Sequence, residues 1–420
     1  MQQSILKNSA LTNMQQSILK NSVLTNAINV LAQEIIVFQQ DYIAHLGFVA
    51  HVHFELEGCF ESAKSLFSAA VARASNNYNF DDINAELAAM NIDGGLVTEY
   101  WQNQWEFVSH FNGQSPLKEA QNLQCVINKL PQLAKKYGFN ETYIQPVVWS
   151  GDRGKLAKHC DNVFSTDSRA VHIPNAIQLN VSVSKLELVD SQYKATDNIV
   201  AYGHFGEQLQ QCFLQTSGAC SLLYLPEEDA FERFALKSKY GLARELCSPT
   251  DISGGHQGSI ALYRKQGKHN QLMGETPLLY GSDNQIMISE YHWQKTARIE
   301  HRLGASSYHY NPYVNVIFAL ANVIDALEDC YDKTKAPKNE SVKIQELPLS
   351  LYNRDEKQGA IALFTQDNWF EKSINQTQQK MLSLQSNKIN SAYLYTALGS
   401  EIKKQILATY GGFYPSMNRN

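Results

Sequence analysis

Residues 48–57 read Phe-Val-Ala-His-Val-His-Phe-Glu-Leu-Glu, an alternation that sets His51, His53, Glu55 and Glu57 on one side of an extended strand and Val52, Phe54 and Leu56 on the other. A chain built around such a strand needs a sheet with one apolar face and one face carrying imidazoles and carboxylates. Residues 177–183, Ile-Gln-Leu-Asn-Val-Ser-Val, repeat the pattern with Gln178, Asn180 and Ser182 on the polar side. The segments around these runs have helical spacing. Ile28, Leu31, Ile35, Phe38 and Tyr42 recur at three- and four-residue intervals, and helices are expected from Ser115-Pro116 to about Tyr137, over Glu207–Gln215, and over much of Glu356–Tyr410. Lys335–Ser341 reads as a loop. Met1–Asn13 and Met14–Asn26 are a tandem repeat differing only at Ala10 and Val23, too short and too isolated for a solenoid. No low-complexity linker divides the interior, so residues 1–46 are read as a repeat and helical arm, and 47–420 as one large domain of mixed helices and strands.

With 44% apolar residues in 420, the chain can bury a substantial core. Its 36 basic and 41 acidic residues leave a net charge of −5, with no cationic excess to neutralise phosphates, so a nucleic-acid partner is not expected. No run approaches the ~20 apolar residues of a membrane span, and the N-terminus lacks the layout of a secretory signal. The seven cysteines are scattered, without a C-x-x-C pair, and point to reduced thiols in a cytoplasmic protein.

Three constellations carry chemistry. On the 51–57 strand, side chains about 7 Å apart at each second residue offer paired ligands to a metal. In Thr98-Glu99-Tyr100-Trp101-Gln102-Asn103-Gln104-Trp105-Glu106-Phe107, two carboxylates flank a glutamine and two tryptophans, and a hairpin-like path would bring both to one place. Arg298-Ile299-Glu300-His301-Arg302 sets a carboxylate between two guanidiniums on one strand face, an arrangement suited to binding carboxylate or phosphate. Asn311 and Pro312 then open a helix whose apolar face carries Val316, Leu320, Val323, Ile324 and Leu327.

The Arg298-to-Arg302 strand followed by Asn311-Pro312-Tyr313 resembles the C-terminal signature of glutamine synthetases and their γ-glutamyl-amine ligase relatives, an R-x-E-x-R strand and then A-N-P-Y. Glu99, Tyr100, Gln104 and Glu106 match that family's E-Y-G-P-G-Q-F-E at the same spacing, Gly47–Glu57 resembles its E-x-E-F strand, and the Leu398-Gly399 helix its closing segment. The resemblance runs from about Gly47 to Tyr410. It implies an α+β catalytic domain, a curved antiparallel sheet with helices outside. It also implies two or three divalent cations (Mg²⁺ or Mn²⁺) in a funnel, and ATP that phosphorylates a γ-carboxylate for attack by an amine. The implied partners are a small carboxylic acid and an amine, and the implied assembly is a homo-oligomer. Carried across, Glu99 and Glu106 match ligands of the metal nearest the substrate, Glu300 a ligand of the nucleotide-side metal, and Arg302 a contact to substrate or phosphate. Arg264 matches the last arginine of W-G-x-x-N-R-x-A-x-x-R, and Gln178 the metal-binding position of G-x-H-x-H. His51 and His53 occupy the E-x-E positions if Phe54 is the aromatic residue; a register two to four residues later supplies Glu55 and Glu57 instead, and both registers are open.

The chain also departs from the family pattern. Ser259 stands for an arginine, Gln178 and Asn180 for histidines, and Cys247 before Ser248-Pro249 for a glutamate, and with a repeat and a helix ahead of Gly47 the family's β-grasp domain is not expected there. Fewer negative ligands imply weak Mg²⁺ binding and a preference for Mn²⁺ or Zn²⁺. The function expected is a divergent, metal-dependent ATP–carboxylate–amine ligase; the alternative is a catalytically degenerate homologue serving as a binding or regulatory module.

Overall fold

The alternating run becomes the strand around which the sheet is organised. The computed structural model describes residues 26–62, 80–99, 104–110, 114–149, 172–231, 233–234, 259–264, 297–331, 344–354, 356–384 and 397–411. In it β1 spans Phe48–Ser62, β2 Gly94–Thr98, β3 Gln104–Ser109, β4 Phe139–Tyr143, β5 Val147–Trp149, β6 His172–Pro174, β7 Ala176–Val189, β8 Gln192–Asn198, β9 Ile260–Tyr263 and β10 Arg298–Ala305. The main sheet runs β2-β3-β1-β7-β10-β9, with β4 added to β1 and β8 to β7; β5 and β6 form a separate pair. All of these ladders are antiparallel.

The helices are α1 (26–45), α2 (Asp81–Ala89), α3 (Pro116–Lys136), α4 (Phe205–Ser217), α5 (Pro312–Tyr331), α6 (Ala360–Gln366), α7 (Trp369–Leu384) and α8 (Leu398–Gly411). Their starts follow local chemistry. The Ser115 hydroxyl accepts from the Lys118 N–H at 3.2 Å ahead of Pro116, and Asn311 Oδ1 accepts from the Val314 N–H at 3.2 Å ahead of Pro312. In each case the cap satisfies a first-turn amide and the proline supplies a φ already suited to the helix. From Pro312 to Ile324 α5 is buried on every side, as its largely apolar composition requires. α1 buries Ile28, Leu31, Ile35 and Ile36 and is tied to the α5 region by Tyr42 Oη donating to Glu328 at 2.8 Å and by Asn311 donating to Asn29 at 2.8 Å.

The sheet therefore has two unlike faces. Phe54, Leu56, Trp105, Phe107, Leu179, Val181 and Ile299 are fully buried on one side, where α3, α4 and α5 pack. On the other side the same strands present His51, His53, Glu55, Glu57, Gln104, Glu106, Gln178, Asn180, Ser182, Arg298 and Glu300. Burying each large apolar side chain on the first face contributes about 1.5–3 kcal/mol, enough to fix the register that aims the second. The duplicated N-terminus to residue 25, the 335–341 loop, and Cys247-Ser248-Pro249 lie outside the described residues. Among those described, no helix is long and apolar enough to cross a membrane.

Candidate functional site

Register decides which of the four ionisable groups on β1 meet the rest. β3 pairs with β1 so that Glu106 stands opposite Glu57, and β7 pairs so that Gln178 stands opposite Glu55 and Asn180 opposite His53. β10 continues the row with Glu300 opposite Asn180. Glu99 follows the end of β2, where its N–H donates to the Gln104 carbonyl at 3.2 Å, and this returns it to the Glu106 strand. Glu57, Glu99 and Glu106 consequently offer carboxylate oxygens that all lie within 4.8 Å of one another. Glu57 is held by the backbone N–H of Ala176 at 2.7 Å.

Burial pushes the Glu106 carboxyl well above the usual carboxylate range, and the charges of Glu55, Glu99, Glu57 and Glu300 push the same way. Glu55 is pushed up to about 7, first by burial and then by Glu300. With Glu106 buried and Glu57 and Glu99 half-buried beside it, the trio has the oxygen chemistry and spacing that a divalent cation accepts. These three residues fit such an ion.

Beside the trio lies a guanidinium network. Glu300 takes Arg298 Nη2 at 3.0 Å on one oxygen and Arg302 Nε at 2.8 Å on the other. Arg298 Nε donates to Asn180 Oδ1 at 2.8 Å, and Asn180 Nδ2 donates to Glu55 at 3.0 Å. The Arg298 guanidinium also lies over the Tyr263 ring, 4.7 Å from its centroid. Arg302 emerges where the β10–β7 register shifts between His301 and Gly304. Arg233, 2% exposed, holds that irregularity from behind, donating to the carbonyls of Arg302 at 3.1 Å, Leu303 at 3.3 Å and Gly304 at 2.7 Å. Gly304 is required there, because a Cβ would fall 2.5 Å from the Ile177 carbonyl oxygen.

No protein-family model matches the sequence, and no curated protein matches it either. The architecture does match known structures. A solved structure described as a novel glutamine synthase homologue superposes with a TM-score of 0.51 at 14% identity, over 91% of this chain and 72% of that one. The fold is glutamine-synthetase-like. A solved structure of apo GmaS without ligand (TM-score 0.47, 11% identity, 87% of this chain and 76% of that one) and one of a GmaS/ADP complex (0.49, 11%, 92% and 75%) are also similar. At these identities the relationship is one of fold.

The expected site residues fall into three groups. Glu99 and Glu106 meet, and the third carboxylate of their cluster is Glu57, from the later of the two registers left open by the sequence. Glu300, Arg302 and Gln178 lie alongside in the guanidinium network. His51 and His53 share the face but are displaced along β1: four residues separate His53 from Glu57, about 13 Å of strand, too far to share one ion. His53 instead stands 3.7 Å from Glu119 of α3, and burial holds His51 down to about 4. Arg264 follows β9 on the alternate side from Tyr263 and pairs with Glu207 of α4 at 2.6 Å, away from the carboxylates.

Glu119 and Arg233 carried no signal in the sequence. Each acts through tertiary contacts from a helical segment whose local pattern is ordinary. A separate cavity of about 650 Å³ opens at the β2 edge, lined in part by Asp81, Asn84, Asp93, His110 and Lys118, and none of the carboxylates above borders it.

Proposed function

We propose that the chain is a divergent, metal-dependent ligase that uses ATP to join a small carboxylic acid to an amine, with the polar sheet face as its active site. The observation that carries this reading is the convergence of Glu57, Glu99 and Glu106 beside the Arg298–Glu300–Arg302 strand, on a glutamine-synthetase-like fold. Five carboxylates on this face, Glu55, Glu57, Glu99, Glu106 and Glu300, exceed its two guanidiniums, so the described residues favour added positive charge.

A divalent cation at Glu57, Glu99 and Glu106 would neutralise charge on phosphate oxygens during transfer. Arg302 has the planar fork that suits an anionic group, and Glu300 fixes its direction. Arg298 anchors Glu300 and Asn180 and so keeps Arg302 aimed rather than mobile. Preorganised donors of this kind lower a barrier because they need not reorient as charge develops.

A second reading, a degenerate homologue that binds ligand without turnover, is favoured by the pairing of Glu55 with Asn180 and of both Glu300 oxygens with Arg298 and Arg302. ADP release, measured with Mg²⁺ or Mn²⁺ across a panel of amino acids, other carboxylic acids and amines, separates the two. Turnover that needs both acid and amine, and that falls about 10²-fold or more in Arg302→Met, is expected of the ligase. Nucleotide binding without ADP release under any pairing would leave the binding-module reading.

A further inference from the structure

The family resemblance places a second cation on the nucleotide side of the site, with Glu300 as a ligand. The residues that would hold it here, Glu55, Gln178 and Glu300, do not fit that role. Each carboxylate oxygen already faces a nitrogen donor. Glu55 Oε1 accepts from Asn180 Nδ2 at 3.0 Å and Glu300 Oε2 from Arg298 Nη2 at 3.0 Å, while Arg302 Nε lies 2.8 Å from Glu300 Oε1 as an ion pair.

The fourth oxygen is settled by the Gln178 amide. With Oε1 turned toward the carboxylates, it would stand 2.6 Å from Glu300 Oε1 and 3.1 Å from Glu55 Oε2, oxygen against oxygen, in return for a long bond from Arg302 Nε at 3.3 Å. With Nε2 in that place, its two hydrogens reach one oxygen of each carboxylate at the same distances. Asn180 cannot turn to undo the arrangement, because Arg298 Nε holds its Oδ1 at 2.8 Å. The network closes on itself: two guanidiniums and two amides satisfy two carboxylates.

We propose that this is a one-cation centre, in which the Gln178 amide bridges Glu55 and Glu300 where the second cation of the family would lie. The inference rests on the proposed role of Glu57, Glu99 and Glu106 as the cation site and adds how many ions that site holds. A cation entering between Glu55 and Glu300 would have to displace an amide and strip donors from both carboxylates. An oxygen-seeking ion such as Mg²⁺, which sheds its own water reluctantly, gains too little there to do so.

The test is equilibrium dialysis of the full chain against Mn²⁺ alone, with bound metal counted per chain and free Mn²⁺ followed by electron paramagnetic resonance. The wild type is expected to hold one Mn²⁺ per chain and Glu106→Gln none. Gln178→Glu, which replaces the bridging amide by a third carboxylate of the same size, is expected to gain a second ion and to melt at a higher temperature with Mn²⁺ than without it. Two ions in the wild type, or one retained in Glu106→Gln, would overturn the one-cation proposal while leaving a metal-dependent ligase intact. No bound Mn²⁺ in the wild type would overturn the ligase reading with it. Should Gln178→Glu not fold, the first two proteins decide the question alone.

Discussion

At the scale of single residues, the molecule keeps several ionisable groups in protonation states that water would not choose. Glu119 is pushed up to about 8 by burial in α3, where it meets Gln114, Ser109 and His53, and His301 is held down to about 3 by burial behind the sheet. The signs differ. His301 stays neutral in the fold while its unfolded form protonates below about 6.5, so it removes stability as pH falls through that value toward 3. Glu119 stays protonated in the fold up to about 8 while its unfolded form ionises near 4.5, so it removes stability as pH rises between those values. Glu55 acts in the same direction as Glu119, but only to about 7. Between pH 7 and 8 the wild type should therefore lose stability through Glu119, by up to about 1.4 kcal/mol per pH unit. Denaturant midpoints at the two pH values should differ in the wild type and lie closer together in Glu119→Gln, where Glu106 still contributes in the same direction; an unchanged difference in the variant would remove Glu119 from the explanation.

At the scale of elements, placement of the carboxylates depends on β3 lying flat on β1. Gly58 permits this, since a Cβ at that position would fall 2.3 Å from the Trp105 ring, which is fully buried among Phe60 and its neighbours. Gly58→Ala should cost about 1–3 kcal/mol through overpacking and shift Glu106 away from Glu57. Thermal melting, together with Mn²⁺ affinity, would show both effects, whereas an unperturbed melting temperature would mean that β3 gives way easily.

Much of this level was legible in the sequence. Alternation gave the two-faced strands at 48–57 and 177–183, and the Ser115-Pro116 and Asn311-Pro312 pairs marked two helix starts that the structure keeps. Choosing Glu57 over His51 and His53 was beyond it. All four groups share one face, and only the point at which β3 stops along β1 selects among them. Arg264 misled for a related reason. One residue of phase on a short strand moves a side chain from the carboxylate face to the helix face, and motif spacing does not report that phase.

At the scale of the whole molecule, α3, α4 and α5 hold the sheet from its apolar side and leave its polar side to chemistry. The resemblance read from short motifs and the similarity of the whole fold agree on a glutamine-synthetase-like architecture, at 14% identity to the glutamine synthase homologue. Such a relationship fixes where strands and helices lie more firmly than what they act on, since one fold can carry many different sites. In the proposed ligase, the Glu57–Glu99–Glu106 cluster holds a cation on which nucleotide binding depends. Calorimetric titration of ATP into the full chain, with Mn²⁺ or Mg²⁺ and then with a chelator, tests it most directly when Glu106→Gln is run alongside. The expected result is binding that requires the cation and weakens about tenfold or more, at least about 1.4 kcal/mol, in the variant. Equal affinity with and without the cation, equal affinity in the variant, or no binding under any condition would contradict it.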